Sequence, residues 1–424
     1  MLLTYSGAVQ ESFANTGVGF IKRGSIVDDA GTTSTRLGDV KDMHHFTVGQ
    51  TNYIAVSSSE GIHLVAVDNT GSPSAATATG GAWGSVINIV MYESTSSTRI
   101  VGLYESAAGV ITTGTEGAIQ TFSISGNQVS RISASALISA ELAIPVGLEI
   151  YSPQTGKHYA VTTSGVTQNK SYVHIIDITD PSTAAEITAT ITDTTNLSLR
   201  GPSDVDIYTT NNKYYAVVTS YYEHAVTILD ITSPNVITHV ATLSDNTDRL
   251  LNSAEEIEIY STGGKHYAVV IPRVNTEAGI QILDITDPTN PTAVGKLQVA
   301  NNNNLYSQAI ALTLHTYNDR WYALLIGKDG HNSLQIIDIT DPSAPEASSH
   351  IRPANTNEKI TSVESYAIGE RQFASVGTTR IDNTNPLPGL DILEMAFLTS
   401  NAGPNQSRTH GQTVTLNGAA AVTV

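Results

Sequence analysis

The chain has 424 residues, with 39 acidic side chains, 21 basic side chains and no cysteine, which gives a formal net charge of −18. A body this acidic repels nucleic-acid phosphates and anionic lipid, so we expect neither nucleic acid nor membrane insertion. Without cysteine, disulfides, thiolate metal sites and cysteine nucleophiles are excluded. No apolar run approaches the about 20 residues that a membrane-spanning helix needs.

An internal repeat organises the sequence. The run Ile-Asp-Ile-Thr-Asp-Pro at residues 337–342 has close copies that begin at residues 176, 229 and 283, and looser copies occur elsewhere. The residue at the position of its first aspartate serves as a marker: Asp68, Ser123, Asp177, Asp230, Asp284, Asp338 and Asp391. Successive markers are 53 to 55 residues apart. A fixed period of this length predicts a repeat architecture.

Each repeat predicts four short strands, because runs of alternating or apolar residues are separated by short turns. Seven such repeats predict an all-β fold, a seven-bladed β-propeller of four-stranded antiparallel blades. The first predicted strand, residues 18–27, precedes the first repeat, whereas the seventh repeat lacks a fourth strand after Asp391. We therefore expect this N-terminal strand to complete the last blade and close the ring.

The marker segment resembles that of a known family. Residues 334–342, followed by Pro345, are similar to the signature of LVIVD-repeat propellers, a strand such as Leu-x-Ile-Ile-Asp-Val followed by Asp-Pro-x-x-Pro. Four repeats match closely and the first, second and seventh match loosely, over about residues 1–399. The resemblance implies a propeller, often at a surface, and no single activity.

The C-terminal segment, residues 400–424, differs from the repeats. Residues 401–406 and 411–418 are similar to the opening of PKD-type immunoglobulin-like domains, which often read Asn-Ala-Gly-Pro-Asp-Gln and then Gly-x-x-Val-x-Leu-Asn-Gly. We therefore predict a propeller at residues 1–399 and the start of such a domain at 400–424, within a longer surface protein. The alternative is a C-terminal strand that packs on the propeller.

The predicted loops between second and third strands vary widely, whereas the turns between first and second strands are short and alike. Variable loops on a rigid scaffold are where binding usually occurs, so we predict that they define the functional face. The alternative is a solvated loop surface. The candidate residues for binding a glycan, protein or small ligand are Tyr221, Tyr222, His224, Arg273, Lys328, His331 and Arg380.

The predicted inner strands carry acids at two positions on one pleat face. Aligning the repeats gives one position with His44, Asn88, Glu149, Asp206, Glu258, Ala311 and Glu364, and another, two residues earlier, with Asp42, Val86, Gly147, Asp204, Glu256, Ala309 and Ser362. If this face borders the central channel, the carboxylates raise one another's pKa, and a cation relieves their repulsion.

We predict a Ca²⁺-like or Mg²⁺-like ion, or a cationic ligand, in the channel mouth. The candidate metal ligands are Asp42, Glu149, Asp204, Asp206, Glu256, Glu258 and Glu364. The alternative is a water-filled acidic channel whose carboxylates accept hydrogen bonds from backbone amides of neighbouring strands.

No linear motif of an enzyme is present: the sequence has no Gly-x-Ser-x-Gly elbow, His-Glu-x-x-His or phosphate loop. Propellers assemble sites from several blades, so His44, Glu149, Asp206 and Glu258 are the candidate catalytic residues for a hydrolase or polysaccharide lyase. The predicted function is an extracellular or cell-surface binding module. The hydrolase or lyase and an architectural spacer are the alternatives.

Overall fold

The computed structural model describes residues 12–13, 18–27, 37, 39–74, 77–78, 85–94, 97–106, 117–132, 136–142, 144–167, 170–194, 197–273, 279–298, 309–327, 333–351, 358–380 and 387–397. No helix within these ranges is long and apolar enough to cross a membrane. The predicted domain boundary at residue 399 and the PKD-like segment lie outside the described residues.

Seven antiparallel sheets, numbered here as blades 1 to 7 in chain order, make up the fold. The inner strands are Val40–Val48, Ser85–Ser94, Pro145–Gln154, Pro202–Thr210, Ala254–Thr262, Ala309–Tyr317 and Glu358–Ile368. The second strands are Thr51–Ser58, Ser97–Ser106, Lys157–Thr167, Lys213–Ser220, Lys265–Pro272, Arg320–Gly327 and Arg371–Arg380. The third strands are Gly61–Val67, Gly117–Ser125, Lys170–Asp177, Ala225–Asp230, Gly279–Asp284, Ser333–Asp338 and Leu387–Phe397. The fourth strands of blades 1 to 6 are Thr77–Ala78, Gln128–Arg131, Glu186–Thr192, Thr238–Ser244, Thr292–Gln298 and Glu346–Ile351.

Three short segments supplement this pattern. Ser12–Phe13 pairs with the fourth strand of blade 6 and makes that sheet five-stranded. Leu137–Ser139 pairs with the third strand of blade 2, beyond the point where the fourth strand ends. A 3-10 turn at Ala140–Leu142 then leads towards blade 3.

The N-terminal strand Val18–Val27 pairs antiparallel with Leu387–Phe397 and is the fourth strand of blade 7. The inner strand of each blade packs against that of the next, and the inner strand of blade 7 packs against that of blade 1. The predicted seven-bladed propeller and its closure by the N-terminal strand are therefore confirmed. Closure also covers edges that would otherwise be free to pair.

The hydrophobic core consists of seven clusters, one at each interface between neighbouring blades. One cluster joins Tyr208 and Val217 of blade 4 to Ile257 and Val270 of blade 5. The second strands are buried on both faces, because each lies in the middle of a sheet between two other sheets, and they therefore read as continuous apolar runs.

Hydrogen bonds explain why the marker motif repeats. In blade 6, Asp338 forms an ion pair with Arg320 and accepts a hydrogen bond from the amide of Thr340 (3.0 Å). The hydroxyl of Thr340 accepts from the amide of Trp321 (3.1 Å). The Asp-Pro pair forms the following turn, in which Asp341 accepts from the amide two residues later. Each polar residue of the motif thus fixes one part of the blade.

The strand register corrects the marker in two blades. The marker position belongs to Ala66 in blade 1 and to Glu394 in blade 7, rather than to Asp68 and Asp391. The sequence around residue 391 imitates the motif, and the preceding loop differs in length, so spacing alone misplaced it. Arg371 forms an ion pair with Glu394, which repeats the pairing found in blades 4 to 6.

Candidate functional site at the acidic channel mouth

The acidic positions form two tiers along the inner strands. The first tier, nearer the start of each strand, contains Asp42, Asn88, Gly147, Asp204, Glu256, Ala311 and Ser362. The second tier contains His44, Val90, Glu149, Asp206, Glu258, Thr313 and Glu364.

The sequence alignment was therefore wrong by two residues in blades 2 and 6, where it put Asn88 and Ala311 in the second tier. Side chains in a strand repeat every two residues, so a shift of two keeps the same face and leaves the alternation intact. All seven candidate metal ligands and His44 keep their predicted tiers.

The two tiers face a common channel. Their acidic side chains are half-buried, and their charges interact across the ring. Asp204 of blade 4 interacts with Asp42 of blade 1, and Glu258 of blade 5 interacts with Glu364 of blade 7. The inner-strand carboxylates of five blades therefore converge on one space near the start of the inner strands.

Four of the carboxylates connect neighbouring blades. Each accepts a hydrogen bond from a backbone amide of the next inner strand: Asp42 from Ile89 (2.9 Å), Asp204 from Ile257 (3.0 Å), Asp206 from Ile259 (2.6 Å) and Glu364 from His45 (3.3 Å). These bonds correspond to the structural alternative raised by the sequence. Glu149 accepts only from the amide of Ile150 in its own strand (3.0 Å), and Glu256 and Glu258 accept no hydrogen bond from the described residues.

Burial raises the pKa of these carboxyls above the ordinary range. The pKa of Asp204 and that of Glu364 are about 7. Burial, and next the charge of Asp206, raise the pKa of Glu258 well above its usual value. Burial and the charge of Asp204 do the same for the pKa of Glu256. The mouth therefore retains protons at neutral pH.

His44 is the one imidazole in the two tiers. Burial alone lowers its pKa, but the charges of Glu364, Asp42 and Glu149 outweigh burial, so the pKa of His44 is raised. Its Nδ1 lies 4.0 Å from Oε1 of Glu364. The candidate catalytic residues His44 and Glu149 thus share the channel with Asp206 and Glu258.

The described residues do not fit a simple metal centre. No group of three or more histidine or carboxylate side chains among them is arranged to hold one metal ion. Ca²⁺ normally takes 6–8 oxygen ligands, several of them from protein. The acids crowd closely enough to repel but are spread around the ring, so the predicted Ca²⁺-like or Mg²⁺-like site is not supported by this geometry.

The candidate loop residues lie in different settings. Tyr222 is 42% exposed and packs edge-on against Tyr221, with ring centroids 5.1 Å apart. Arg273 forms an ion pair with Glu255, and Nδ1 of His224 accepts a hydrogen bond from the amide of Ser253 (2.8 Å). Lys328 and His331 lie outside the described residues, and Arg380 ends the second strand of blade 7.

The loops that lead into the inner strands share a feature that the sequence analysis missed. Ile144, Gly201 and Ser253 occupy one equivalent position with φ of 51°, 62° and 52°. In each case the carbonyl accepts a hydrogen bond from an amide near the end of the second strand of the same blade. The donors are Gly165, within that strand, and Tyr221 and Arg273, directly after it. The sequence did contain one indication of this backbone conformation. Ile144-Pro145 and Gly201-Pro202 stand at the start of blades 3 and 4, and aligning the two prolines aligns Ile144 with a glycine.

Buried polar residues on the third strands also escaped prediction. Nε2 of His174 contacts the carbonyl of Glu141 (3.2 Å), and Thr227 donates to the carbonyl of Leu197 (3.0 Å). In blade 5, the side chain of Gln281 accepts from the amide of Leu250 (2.9 Å). These contacts tie the leading loops of blades 3, 4 and 5 to the third strands of the same blades.

Fold and site together define a seven-bladed propeller with an acidic channel mouth. The LVIVD repeat family model matches residues 274–299 and 328–351. These segments contain the third and fourth strands of blades 5 and 6, which supports the resemblance to this repeat. No curated protein matches the chain.

Solved structures share the fold at low identity. A protein from Lactobacillus plantarum has 13% identity and a TM-score of 0.52, and the match covers 77% of this chain and 90% of that one. The periplasmic gluconolactonase PpgL of Pseudomonas aeruginosa has 10% identity and a TM-score of 0.57, and the match covers 80% of this chain and 95% of that one. Similarity at this level shows the fold alone.

Proposed function

We propose that this chain is an extracellular or cell-surface binding module that receives a positively charged ligand at its channel mouth. The supporting observation is that six of the seven crowded carboxylates form no salt bridge within the described residues, and His44 is the one imidazole among them. Among the described residues, no salt bridge reaches Asp42, Glu149, Asp204, Asp206, Glu256 or Glu258. A bound cation relieves their repulsion, which favours binding.

An organic cation suits this arrangement better than a bare ion. A guanidinium group has five N–H donors in a planar fork and bonds carboxylates that are too far apart to share one metal ion. Thermal unfolding with EDTA and then with Ca²⁺, Mg²⁺, Mn²⁺ or Zn²⁺ tests whether the ligand is a metal ion rather than an organic cation. A large rise in melting temperature with one of these ions alone would favour the metal.

Agmatine, a guanidinium on a short aliphatic amine, is a suitable probe. We expect it to bind at low ionic strength, and Glu258→Gln to weaken binding about tenfold, because a charge-assisted hydrogen bond is lost. Glu186→Gln is the matched control, since it removes one exposed carboxylate from an outer strand of blade 3. Equal affinity in both variants, or no binding to the wild type, would contradict the proposal and favour a spacer.

The surface location is part of the same proposal. It is supported by the resemblance to LVIVD-repeat propellers, which implies a surface location, and by the similarity of residues 401–406 and 411–418 to PKD-type domains. Labelling intact cells with a reagent that cannot cross membranes tests it. Labelling only after lysis would contradict a surface location.

A hydrolase or polysaccharide lyase is the second candidate. It is favoured by the raised pKa of Glu258, because a carboxyl that keeps its proton to a higher pH is better suited to act as a general acid. The likeness to a gluconolactonase makes lactones a reasonable first panel, followed by glycosides and uronic polymers. Turnover that is lost in both Glu258→Gln and His44→Gln would support an enzyme, and no turnover on the panel would count against it.

A further inference from the structure

An exposed apolar surface lies beside the acidic mouth. Four large hydrophobic side chains are exposed in the described part of the chain, and three of them lie on this face: Ile144 (46%), Val146 (40%) and Tyr222 (42%). The fourth, Val236, lies in the turn between the third and fourth strands of blade 4, at the opposite end of the blade. The exposure is therefore concentrated between blades 3 and 4.

Two glycines connect these side chains. The amide of Gly165 donates to the carbonyl of Ile144 (3.3 Å), and a Cβ built on Gly165 would lie 3.5 Å from the Cα of Gly201. The ring of Tyr222 covers Gly201 so closely that any side chain there would clash with it. Ile144, Val146, Gly165, Gly201 and Tyr222 thus form one surface, here called the blade 3–4 strip.

The strip continues directly into the acidic mouth. Val146 is followed by Gly147, and a Cβ built on Gly147 would lie 2.9 Å from the Cα of Asp204. Glu149 lies three residues from Val146, and the strand is bulged between Pro145 and Leu148, so the two residues are at most about 10 Å apart along the strand. An apolar group on the strip and a cation in the mouth are therefore within reach of one short ligand.

We propose that the strip and the mouth together bind a basic segment of polypeptide, with an arginine or lysine in the mouth and a nearby apolar side chain on the strip. This inference rests on the proposed binding function and names its ligand class. Charge complementarity supports a basic partner, because the mouth holds seven carboxyls and, within the described residues, six of them form no salt bridge. The branched aliphatic side chains of Ile144 and Val146 fit a leucine-like group better than the hydroxylated ring of a sugar.

Two acetylated heptapeptides test the inference, Gly-Ser-Arg-Gly-Leu-Ser-Gly and the same peptide with serine in place of leucine. We expect the leucine peptide to bind about fivefold more tightly or better, because part of its side chain leaves water. Ile144→Ser should remove this preference and leave agmatine binding unchanged, and it copies the residue that blade 5 carries at this position. Val236→Ser removes an exposed apolar side chain elsewhere and should change nothing.

The outcomes separate the two proposals. Agmatine binding without any preference for leucine would overturn the strip and leave the charged mouth in place. No binding of agmatine or of either peptide would overturn the proposed function itself. Tighter binding of a neutral oligosaccharide than of the leucine peptide, lost in Ile144→Ser, would assign the strip to a glycan instead.

Discussion

Ile144 combines two unfavourable features at a single residue. Its φ of 51° lies in the left-handed region, where a β-branched side chain is crowded, and its side chain is 46% exposed. A left-handed conformation costs a residue other than glycine about 1–2 kcal/mol. Gly201 meets the same backbone requirement in blade 4 without this cost. Neither the backbone nor the core therefore requires isoleucine here.

Replacing Ile144 with glycine should stabilise the fold. The relief of crowding exceeds the extra flexibility that glycine gives the unfolded chain, so the free energy of unfolding should rise by about 0.5–1 kcal/mol. Val146→Gly is the control, since that residue lies within an inner strand, where glycine lowers stability. Chemical denaturation measures both variants, and a decrease for Ile144→Gly would show that its side chain supports the fold.

At the scale of elements, ion pairs join the N-terminal strand to blade 7. Glu394 is 1% exposed and forms ion pairs with Arg23 of the N-terminal strand and with Arg371. A bulge between Lys22 and Gly24 leaves Arg23 out of the strand register. Burial alone would raise the pKa of Glu394, but the two arginines outweigh burial and lower it, so the carboxylate is ionised and paired with both. In blades 4 to 6 the acid at the marker position pairs with one basic side chain. Glu394 pairs with two, and so connects the N-terminal strand to the last blade.

Glu394→Gln should weaken the closure strongly. It leaves two arginines beside a buried neutral side chain, and breaking a buried ion pair costs about 3–5 kcal/mol. Asp230→Asn is the control, because the Lys213–Asp230 pair is partly exposed and contributes less than about 1 kcal/mol. Hydrogen exchange should show faster exchange in residues 18–27 of Glu394→Gln. Exchange no faster there than in the other outer strands would contradict this role.

The repeat predicted the blades, the closing strand and the acidic positions of five inner strands, because each follows from period-two alternation and regular spacing. The same reasoning misplaced the marker at Asp391 and put Asn88 and Ala311 in the wrong tier. When short strands have similar compositions, alignments that differ by a few residues fit the sequence equally well. Only the hydrogen-bond register in the structure shows which alignment is correct. The exposed residues Ile144 and Val146 could not be identified from the sequence either, since exposure depends on how neighbouring blades meet.

At the scale of the whole molecule, two sets of buried groups make stability depend on pH in opposite directions. Burial raises the pKa of Asp204 and Glu364 to about 7, far above the value near 4 that these groups have in the unfolded chain. Their effect is that the free energy of unfolding decreases as pH rises through 7. Burial lowers the pKa of His45, His63 and His315 to about 4. Because of these histidines, the free energy of unfolding decreases as pH falls below about 6.5.

As pH rises above 6.5 the histidines become mostly neutral in both states, and the seven mouth carboxyls, whose pKa values are all raised, dominate. We therefore expect the melting temperature to fall between pH 6.5 and 8.5, as carboxyls that hold protons in the folded state must ionise. The fall should be smaller in Glu258→Gln, which removes one of the carboxyls of raised pKa, and unchanged in the surface variant Glu186→Gln. A constant or rising melting temperature across this range would contradict the proton-holding mouth.

The central claim is that the channel mouth is a cation site built from carboxyls that retain protons. The most direct test is calorimetric titration of agmatine at pH 7.5 in phosphate and in Tris, whose ionisation enthalpies differ. A bound cation lowers the pKa of the surrounding carboxyls, so we expect protons to be released, different heats in the two buffers, and a smaller difference in Glu258→Gln. Equal heats in both buffers, or binding that is unaffected by Glu258→Gln, would contradict the claim.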